Sequence, residues 1–496
     1  PRNFQGLRPP YYTFGTRQTL FGAYVQDDVK LLPNFTINAG LRYEMATVPT
    51  DVHNRVSNLQ HLTDAQPQIG GAYFLNPTLR NFEPRLGFAW SPFRNGKTIL
   101  RGGFGIFDVL PLPYTFELIT PYATPFSVQV FADGVPPGSF PSGAFQEFSN
   151  LPGVARGSYV EHQPKRSYVM QWNLGVAREI SSTLIATVAY VGSRGVHQPY
   201  KGDNFDTVFP TLTPAGYVYP VPGTAQRLNP NFGRIAGMMW QANSFYDALQ
   251  VDLTKKVSHG VEIHGAYTWG KSIDTLSATM ADDAYPNGIL NPPFFDQRTT
   301  RGLSDFNIGQ ELVVNFTWEV PTPRFHSELV KRALGGWQFG GIYKASSGQP
   351  FTPFIGGDPL GTKLDQVSNP PNRVVGPGCA NLTNIGNPNH YIKTQCLAFL
   401  TPGLRGNLGR NTLIGPGISK FDFSVFKNNH VQRISETFNA QFRAEFFNVF
   451  NRANFASPTD NLFVFDQQGN PVPSAGLITS TQTTSRQIQF ALKLIW

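Results

Sequence analysis

At 496 residues the chain is long enough for two or three soluble domains or for one large closed sheet, so its length does not choose a class. Only 15% of its residues are charged, against about 25% in a typical soluble domain, while 13% are aromatic. The net charge of +8 is modest, and the basic residues are spread among acidic ones, which argues against a nucleic-acid partner.

No run of the chain approaches the roughly 18 consecutive apolar residues that a membrane-spanning helix requires, which excludes a helical membrane protein. The mean hydropathy of -0.23 is instead typical of a membrane β-barrel, because every second residue of each strand points into a polar lumen. The 48 glycines and 41 prolines are scattered between apolar segments, as in a fold of many strands joined by turns and loops.

Alternation of apolar and polar residues is the strongest local signal. In the segment 34–44, Phe35, Ile37 and Leu41 fall on one face and Thr36 and Arg42 on the other. The same pattern recurs at 82–92, 168–180, 261–269, 306–319, 438–446 and 486–496, with weaker candidates at 20–30, 98–107, 184–193, 245–255, 337–346 and 419–427. These segments predict about 13 strands, mostly long enough to cross a bilayer when tilted.

The predicted connections alternate in length along the chain. Short ones lie near Pro33, Asn95, Ser181 and Ser258 and at 321–336 and 428–437; long ones lie at 46–81, 108–167, 194–244, 273–304, 347–418 and 451–485. Tight periplasmic turns alternate in this way with large extracellular loops in outer-membrane barrels. We therefore expect a transmembrane antiparallel β-barrel with all long loops outside the cell.

The last predicted strand ends the chain on an aromatic residue. Its apolar face is formed by Ile488, Phe490, Leu492, Leu494 and Trp496. This pattern resembles the C-terminal assembly signal of bacterial outer-membrane proteins, which implies the barrel assembly machinery as a partner. Because this end would close the barrel in the periplasm, the strand at 20–30 would start outside the cell, and at least one further strand is expected upstream of Pro1.

The two cysteines, Cys379 and Cys396, lie 17 residues apart in one stretch rich in Gly, Pro and Asn that has the composition of a surface loop. A disulfide that closes this loop is the preferred interpretation, and it would indicate an oxidising compartment. Two unrelated free thiols are the alternative.

Three segments carry a more specific resemblance: FGAYVQDDVKLLPNFTINAGLRYE (21–44), GNLGRNTLIGPGISKFDFSVFKN (406–428) and FNAQFRAEFFNVFNRANF (438–455). Together they resemble the barrel of Oar-like TonB-dependent transporters that have an N-terminal carboxypeptidase-regulatory-like domain. The resemblance covers essentially the whole chain.

The resemblance implies that residues 1–496 are the C-terminal part of the barrel, about 13 of roughly 22 strands. In that family a small β-sandwich domain, a TonB-box and a plug precede the barrel, and these parts are expected to be absent from this chain. The implied activity is uptake driven through the TonB complex in the bacterial outer membrane, so outer-membrane lipid and TonB are the implied partners. No cofactor is implied.

Several motifs point to other functions but are contradicted by their context. Residues 265–272, GAYTWGKS, match the letters of a phosphate-binding loop, yet they continue the strand alternation that begins at Val261. The sequence lacks the common hydrolase motifs, so no enzymatic activity is expected. His259 and His264 would point to opposite faces of a strand, and the acidic pairs Asp282 with Asp283 and Asp358 with Asp365 lack the ligand spacing of a calcium loop.

Two rows of side chains are expected to line the predicted barrel. Polar residues on the inward face would form cross-strand ion pairs: Arg42, Glu44, Arg85, Glu179, Asp252, Glu311, Arg443 and Glu445. Aromatic residues near strand ends would anchor the barrel at the depth of the lipid headgroups: Tyr43, Trp90, Phe107, Trp269, Trp318 and Trp496.

The sequence thus predicts an all-β outer-membrane receptor and transporter for a large or scarce ligand captured by its extracellular loops, especially 108–167, 194–244 and 347–418. A passive porin-like channel is the first alternative, and it would lack an upstream plug and TonB-box. A secreted all-β binding or adhesion protein, soluble without detergent, is the second. The identity of the ligand is not encoded in any recognisable motif.

Overall fold

The structure is a computed structural model, and it describes residues 4–8, 12–117, 119–132, 155–277, 285, 287–288, 293–321, 327, 330, 333–364, 369–431, 435 and 437–496. Strands dominate it, and the helical elements with described bounds are an α-helical turn at Tyr114–Glu117 and 3-10 turns at Thr120–Tyr122, Gln297–Thr299, Thr394–Cys396 and Thr459–Asn461, with further helical residues at 330 and 333–334. Over the described residues, no helix has the length and apolar character needed to cross a bilayer.

One large antiparallel sheet forms the body of the molecule, and thirteen strands cross it in chain order. They are β1 Leu20–Leu32, β2 Phe35–Ala46, β3 Phe82–Trp90, β4 Thr98–Asp108, β5 Tyr168–Ser181, β6 Leu184–Gly202, β7 Arg234–Ser258, β8 Val261–Asp274, β9 Gln310–Glu319, β10 Trp337–Ser346, β11 Ile418–His430, β12 Asn439–Phe447 and β13 Gln487–Ile495. Each strand pairs with its neighbours in sequence, which confirms the predicted strand number and all-β class.

Among the described residues, sixteen shorter strands lie outside this path, and two of them pair with one of its strands. Arg156–Val160 runs parallel to the start of β7, and Gly302–Leu303 pairs with the end of β8. The others are Phe4–Arg8, Thr16–Arg17, Thr50–Asp51, Ser57–Asn58, Gln68–Ile69, Val128–Ala132, Thr211–Thr213, Gly216–Val218, Pro350–Phe351, Phe354–Ile355, Asn372–Arg373, Leu397–Ala398, Leu413–Ile414 and Phe463–Phe465.

The connections alternate in length as predicted, so the sheet has a short-turn end and a long-loop end. The two-residue turn between β7 and β8 consists of His259 and Gly260, whose φ angles are +54° and +77°. Two consecutive positive φ values match the turn that fits the twist of a hairpin. A Cβ at Gly260 would lie 2.2 Å from the carbonyl oxygen of Glu319, so only glycine fits there.

Register alignment places most of the large apolar residues of the thirteen strands on one face, which we call the apolar face. On this face Leu86 pairs with Phe104, Phe104 with Trp172, and, further along the sheet, Ala444 with Phe490. Most charged and amide side chains occupy the opposite, polar face. This separation follows from the two-residue period of a strand, because neighbouring strands are aligned without slipping by one residue.

Three predicted boundaries need correction. Strands β6 and β7 continue beyond their predicted ends, because their long-loop ends pair with each other and bury Tyr200, Met238 and Trp240 among loop residues. Strand β9 starts at Gln310, not near Phe306. Residues 304–307 form a turn instead, in which the Asn307 side chain accepts a hydrogen bond from Ser272 N at 2.7 Å.

The two edges of the sheet are β1 and β13, and neither has a second neighbouring strand in the described part of the chain. Every residue of β1 is solvent-exposed. Over these residues the sheet is therefore an open meander, and that the chain is only part of a barrel stays a prediction.

Candidate functional site: the loop cap and the polar face

Four of the long connections fold into a compact unit above the sheet, which we call the loop cap: residues 203–233, 293–309, 347–417 (described at 347–364 and 369–417) and 448–486. Its hydrophobic core is continuous and draws on three of these segments. The fully buried members include Phe351, Ile355, Leu413 and Val464. An apolar core of this size is unusual for surface loops, which normally lack one.

Backbone hydrogen bonds connect the segments of the cap to one another. Phe354–Ile355 runs parallel to Phe463–Phe465, and Ile478 N donates to Pro388 O at 2.8 Å. Val208 N donates to Thr362 O at 3.0 Å, which attaches the segment 203–233. The cap is therefore held by contacts between loops that are far apart in sequence.

The two cysteines lie in the core of the cap and are joined by a disulfide. Their Cα atoms are 5.4 Å apart and the S–S bond is 1.94 Å long. Cys396 is almost fully buried and Cys379 nearly so. The bond closes the segment 380–395, whose Tyr391 belongs to the same buried core as Leu413.

A buried cluster of charges fastens the cap to the end of β8. The Arg410 guanidinium contacts Asp274 at 2.6 Å and Asp305 at 2.9 Å, and all three side chains are at most 4% exposed. Ser277 Oγ accepts from Arg410 at 2.7 Å, and Asn411 Nδ2 donates to Asp305 at 2.6 Å. Burial raises the pKa of Asp305, and the charge of Arg410 opposes that rise.

A cavity of about 290 Å³ opens between the disulfide-closed segment and the approach to β11. Its lining carries no charge and consists of Asn381, Leu382, Thr383, Ile385, Tyr391, Thr412, Leu413, Ile414, Gly415, Pro416 and Gly417. The Tyr391 hydroxyl donates to Ile414 O at 2.9 Å, and burial raises its pKa to about 12. Such a lining suits an uncharged group better than an ion.

A cluster of aromatic rings lies on another side of the cap. The ring of Phe295 lies 5.3 Å from that of Phe209 and 5.1 Å from that of Tyr217. The Tyr217 hydroxyl donates to Asp296 at 2.8 Å, and Arg298 contacts the same carboxylate at 2.9 Å. The hydrogen bond from Arg298 lowers the pKa of Asp296 well below its usual range.

The polar face carries the predicted charged row, and ion pairs join most of its members. Two of these pairs cross between strands as expected: Asp252 with His264 at 2.5 Å and Glu311 with Lys344 at 2.7 Å. Two others lie along a single strand: Arg42 with Glu44, and Arg85 with Glu83. Glu179 faces Lys97 at 3.8 Å, Arg443 bonds Gln441 at 2.6 Å, and Glu445 makes no ion pair among the described residues.

One member of the predicted aromatic row was wrong. Phe107 lies on the polar face, where the Arg85 guanidinium sits 4.6 Å above its ring. Its register partner is Val169, whereas the apolar face of β4 carries Phe104 and Ile106. Tyr43, Trp90, Trp269 and Trp318 lie on the apolar face, and Trp496, just past β13, stacks on Phe438 at 4.8 Å.

Apart from His259, the other motifs fall where the sequence interpretation placed them or outside the described residues. GAYTWGKS is part of β8 and not a loop, which confirms the prediction. His264 lies on β8 and bonds Asp252, but His259 lies in the turn before β8, so its predicted place on a strand was wrong. Asp282, Asp283 and Asp365 lie outside the described residues, and among the residues that are described no cluster of His, Cys, Asp or Glu could hold a metal.

The sequence interpretation missed Arg410 entirely. Its acidic partners lie 136 and 105 residues away, so no local spacing announces them. The only sequence signal was that Arg410 and Asn411 lie in 406–428, one of the three segments that carry the family resemblance. There, these two polar residues lie between glycines and an apolar strand.

Comparison with known proteins agrees with this architecture. Residues 2–489 match the family model described as outer membrane beta barrel domain. No curated protein matches the chain. Among solved structures, the Escherichia coli outer membrane transporter YddB is 11% identical with a TM-score of 0.46, covering 96% of this chain and 45% of its own.

Two further solved structures give similar values. The FrpB iron transporter of Neisseria meningitidis (F5-1 variant) is 11% identical with a TM-score of 0.45, over 97% of this chain and 46% of its own. A mutant of the Pseudomonas aeruginosa ferric enterobactin receptor PfeA is 10% identical with a TM-score of 0.45, over 96% and 44%. The chain spans less than half the length of each.

The apolar face, the polar face and the alternation of short turns with long loops are the features that place a sheet in a bacterial outer membrane. The family match covers nearly the whole chain. The protein belongs to the outer membrane beta barrel domain family.

Proposed function

We propose that this chain is the barrel wall of a TonB-dependent receptor and transporter of the Oar-like kind, with its long-loop end outside the cell. The observation that carries the proposal is the loop cap: six long connections emerge at one end of the sheet, and three of them fold around one shared buried core. A passive pore needs no such structure over its entrance, whereas a receptor needs a shaped surface that captures its ligand.

The polar face supports the same proposal. Most of its charged side chains are partly exposed and paired with one another, so they tolerate water and would line a lumen. In the proposed transporter an upstream plug would fill that lumen and an upstream TonB-box would contact the TonB complex. The last strand, with Ile488, Phe490, Leu492, Leu494 and Trp496, would be recognised by the barrel assembly machinery.

The cap would capture a large or scarce ligand, and no residue of it is assigned a catalytic role. The uncharged cavity beside Tyr391 and the aromatic cluster at Phe209 and Phe295 are the two surfaces that suit contact with an organic molecule. Aromatic faces contribute contact area at little entropic cost, and hydroxyl groups fix orientation.

The test uses the full-length gene product in its native outer membrane. We expect it to be extracted only with detergent, to run faster on an SDS gel before boiling than after, to retain the periplasmic domain of TonB on a column, and to give no steady conductance in a planar bilayer. Steady conductance without TonB retention would identify a passive channel. A soluble protein with unchanged mobility would identify a secreted binding protein and overturn the proposal.

A further inference from the structure

The cationic side chains on the apolar face differ in their hydrogen-bond partners between the short-turn end and the long-loop end of the sheet. At the short-turn end each one is satisfied by the protein itself: Arg178 donates to Thr98 Oγ1 at 2.7 Å, and Lys255 donates to Val261 O at 3.2 Å. Lys427 likewise donates to Gly335 O. These three side chains are hydrogen-bonded within the protein and need no partner from the lipid.

At the long-loop end the apolar face carries Arg194 on β6 and Lys271 on β8, both exposed. Neither forms a hydrogen bond or an ion pair with any residue that the structure describes. Their orientation is fixed by register, since Arg194 pairs with Phe245 and Met170, and Lys271 follows Trp269 by two residues. Two cations without a protein partner thus stand on the face that meets lipid.

The two cations belong to one patch, which we call the rim patch: Arg194, Lys271, Tyr190, Phe245 and Trp269. They are separated by two strand spacings and two residues along the strands, which is about 12 Å. Phe245 and Trp269 lie between or beside them and are 40% and 61% exposed. Aromatic rings and cations together at the edge of an apolar band are the surface that binds a lipid headgroup.

One carboxylate also lies in this patch. Asp247 pairs in register with both Gly192 and Lys271, and it accepts a hydrogen bond from the Tyr190 hydroxyl. It makes no ion pair with Lys271 in the described part of the chain. The patch therefore keeps a net positive charge of one, with Asp247 partly satisfied by Tyr190.

We infer that the rim patch binds the phosphorylated glycolipid of the outer leaflet, with Arg194 and Lys271 contacting its phosphate groups and the aromatic rings contacting its acyl chains. The separation of the two cations suits a headgroup with phosphates at both ends of a disaccharide better than a single phosphate. The inference rests on the proposed orientation, in which the long-loop end is outside the cell.

The experiment measures lipid binding to the detergent-purified full-length protein by native mass spectrometry. The probes are bisphosphorylated lipid A, its monophosphorylated form, and phosphatidylglycerol, which is an anionic lipid without a disaccharide. We expect the order of affinity to follow the order of this list. Arg194→Gln with Lys271→Gln should weaken lipid A binding about twenty-five-fold, from about fivefold per cation removed.

Arg101→Gln is the matched control, because Arg101 is an exposed arginine in β4 on the polar face. It should leave lipid A binding unchanged. Equal binding of phosphatidylglycerol and lipid A, or equal loss in the control, would overturn the inference in favour of general charge attraction. Unchanged lipid A binding by the double variant would also overturn it.

The orientation is tested separately by Ile385→Cys, since Ile385 is 83% exposed on the cap. A membrane-impermeant maleimide should label this variant in intact cells. Labelling together with failed lipid binding would reject the rim patch alone. Absence of labelling would reject the orientation, and with it the proposed function.

Discussion

In the sheet the large apolar side chains point outward, and Leu86, Leu174 and Phe490 stay more than half exposed; in the loop cap Phe351, Ile355 and Leu413 are at most 1% exposed. The two regions keep their apolar side chains from water in different ways. The cap buries its apolar surface against itself, as a soluble domain does. No layer of the described residues packs on the apolar face of the sheet, whose large side chains stay exposed, and in the outer membrane the bilayer covers such a face.

This difference implies that the cap and the sheet are stabilised independently. The cap depends on its core, its disulfide and the Arg410 cluster. The sheet depends on backbone pairing and on lipid. A substitution in one region should therefore leave the other intact, and the predictions below separate them.

The largest effect is expected from Arg410→Met. It leaves Asp274 and Asp305 buried without a counter-charge, which costs about 3–5 kcal/mol in comparable buried pairs. Amide hydrogen exchange should accelerate across 350–414 while the wall strands keep their protection. Arg298→Met is the control, because Arg298 is 83% exposed in its pair with Asp296 and pairs at the surface contribute about 0–1 kcal/mol. Equal acceleration in both variants would contradict the account of the Arg410 cluster.

Removing the disulfide comes next. Replacing Cys379 and Cys396 together with serine should destabilise the cap by about 3 kcal/mol, because a closed loop of this size restricts the unfolded chain by about that amount. Exchange should rise most in 380–395, and the heat-modifiable mobility of the barrel should persist. If mobility were lost as well, the two regions would not be independent.

A smaller effect is expected in the sheet from Gly192→Ala. The added Cβ would lie 2.4 Å from the Trp172 ring, and overpacking of this kind costs about 1–3 kcal/mol. The temperature at which the barrel loses its fast gel mobility should fall. Gly265→Ala is the matched control, since its Cβ would meet only Val314 at 3.8 Å. A lower transition temperature in Gly265→Ala but not in Gly192→Ala would refute overpacking against Trp172 as the cause.

The smallest effect concerns pH and the aromatic side of the cap. The hydrogen bond from Arg298 lowers the folded-state pKa of Asp296, so its contribution to stability is present above the unfolded pKa of about 3.9 and is lost as pH falls toward the lower folded value. Carboxyl NMR should show Asp296 titrating below its usual range, and Arg298→Gln should move the titration upward. An unchanged midpoint in that variant would exclude Arg298 as the cause.

The wall of the barrel could be predicted from sequence because its signal is local. A two-residue period is visible within each strand, and it located all thirteen strands, including β10 to the residue. The errors lie where tertiary contacts override that period. Strand β7 begins at Arg234, before its predicted start at 245, because this end pairs with β6 and with Arg156–Val160. No pattern in 234–243 signals the second partner.

The cap could not be predicted in the same way. Its core joins Tyr219, Phe351 and Phe465, residues so far apart that only the folded chain brings them together. The cysteine pair was accessible to sequence reasoning, since composition marked its segment as a loop. Arg410 was not, because a buried ion cluster needs three distant positions to be known at once. Phe107 was misassigned because proximity to a strand end does not tell which face a side chain occupies.

The most direct test of the account is spin-label accessibility along β7 in the membrane-embedded full-length protein. Cysteines placed singly at 249, 250, 251, 252 and 253 carry the label, and relaxation by oxygen is compared with relaxation by a water-soluble nickel complex. We predict that labels at Leu249, Val251 and Leu253 are reached by oxygen and those at Gln250 and Asp252 by nickel. Uniform access of both reagents along these positions would contradict a sheet with one face in lipid.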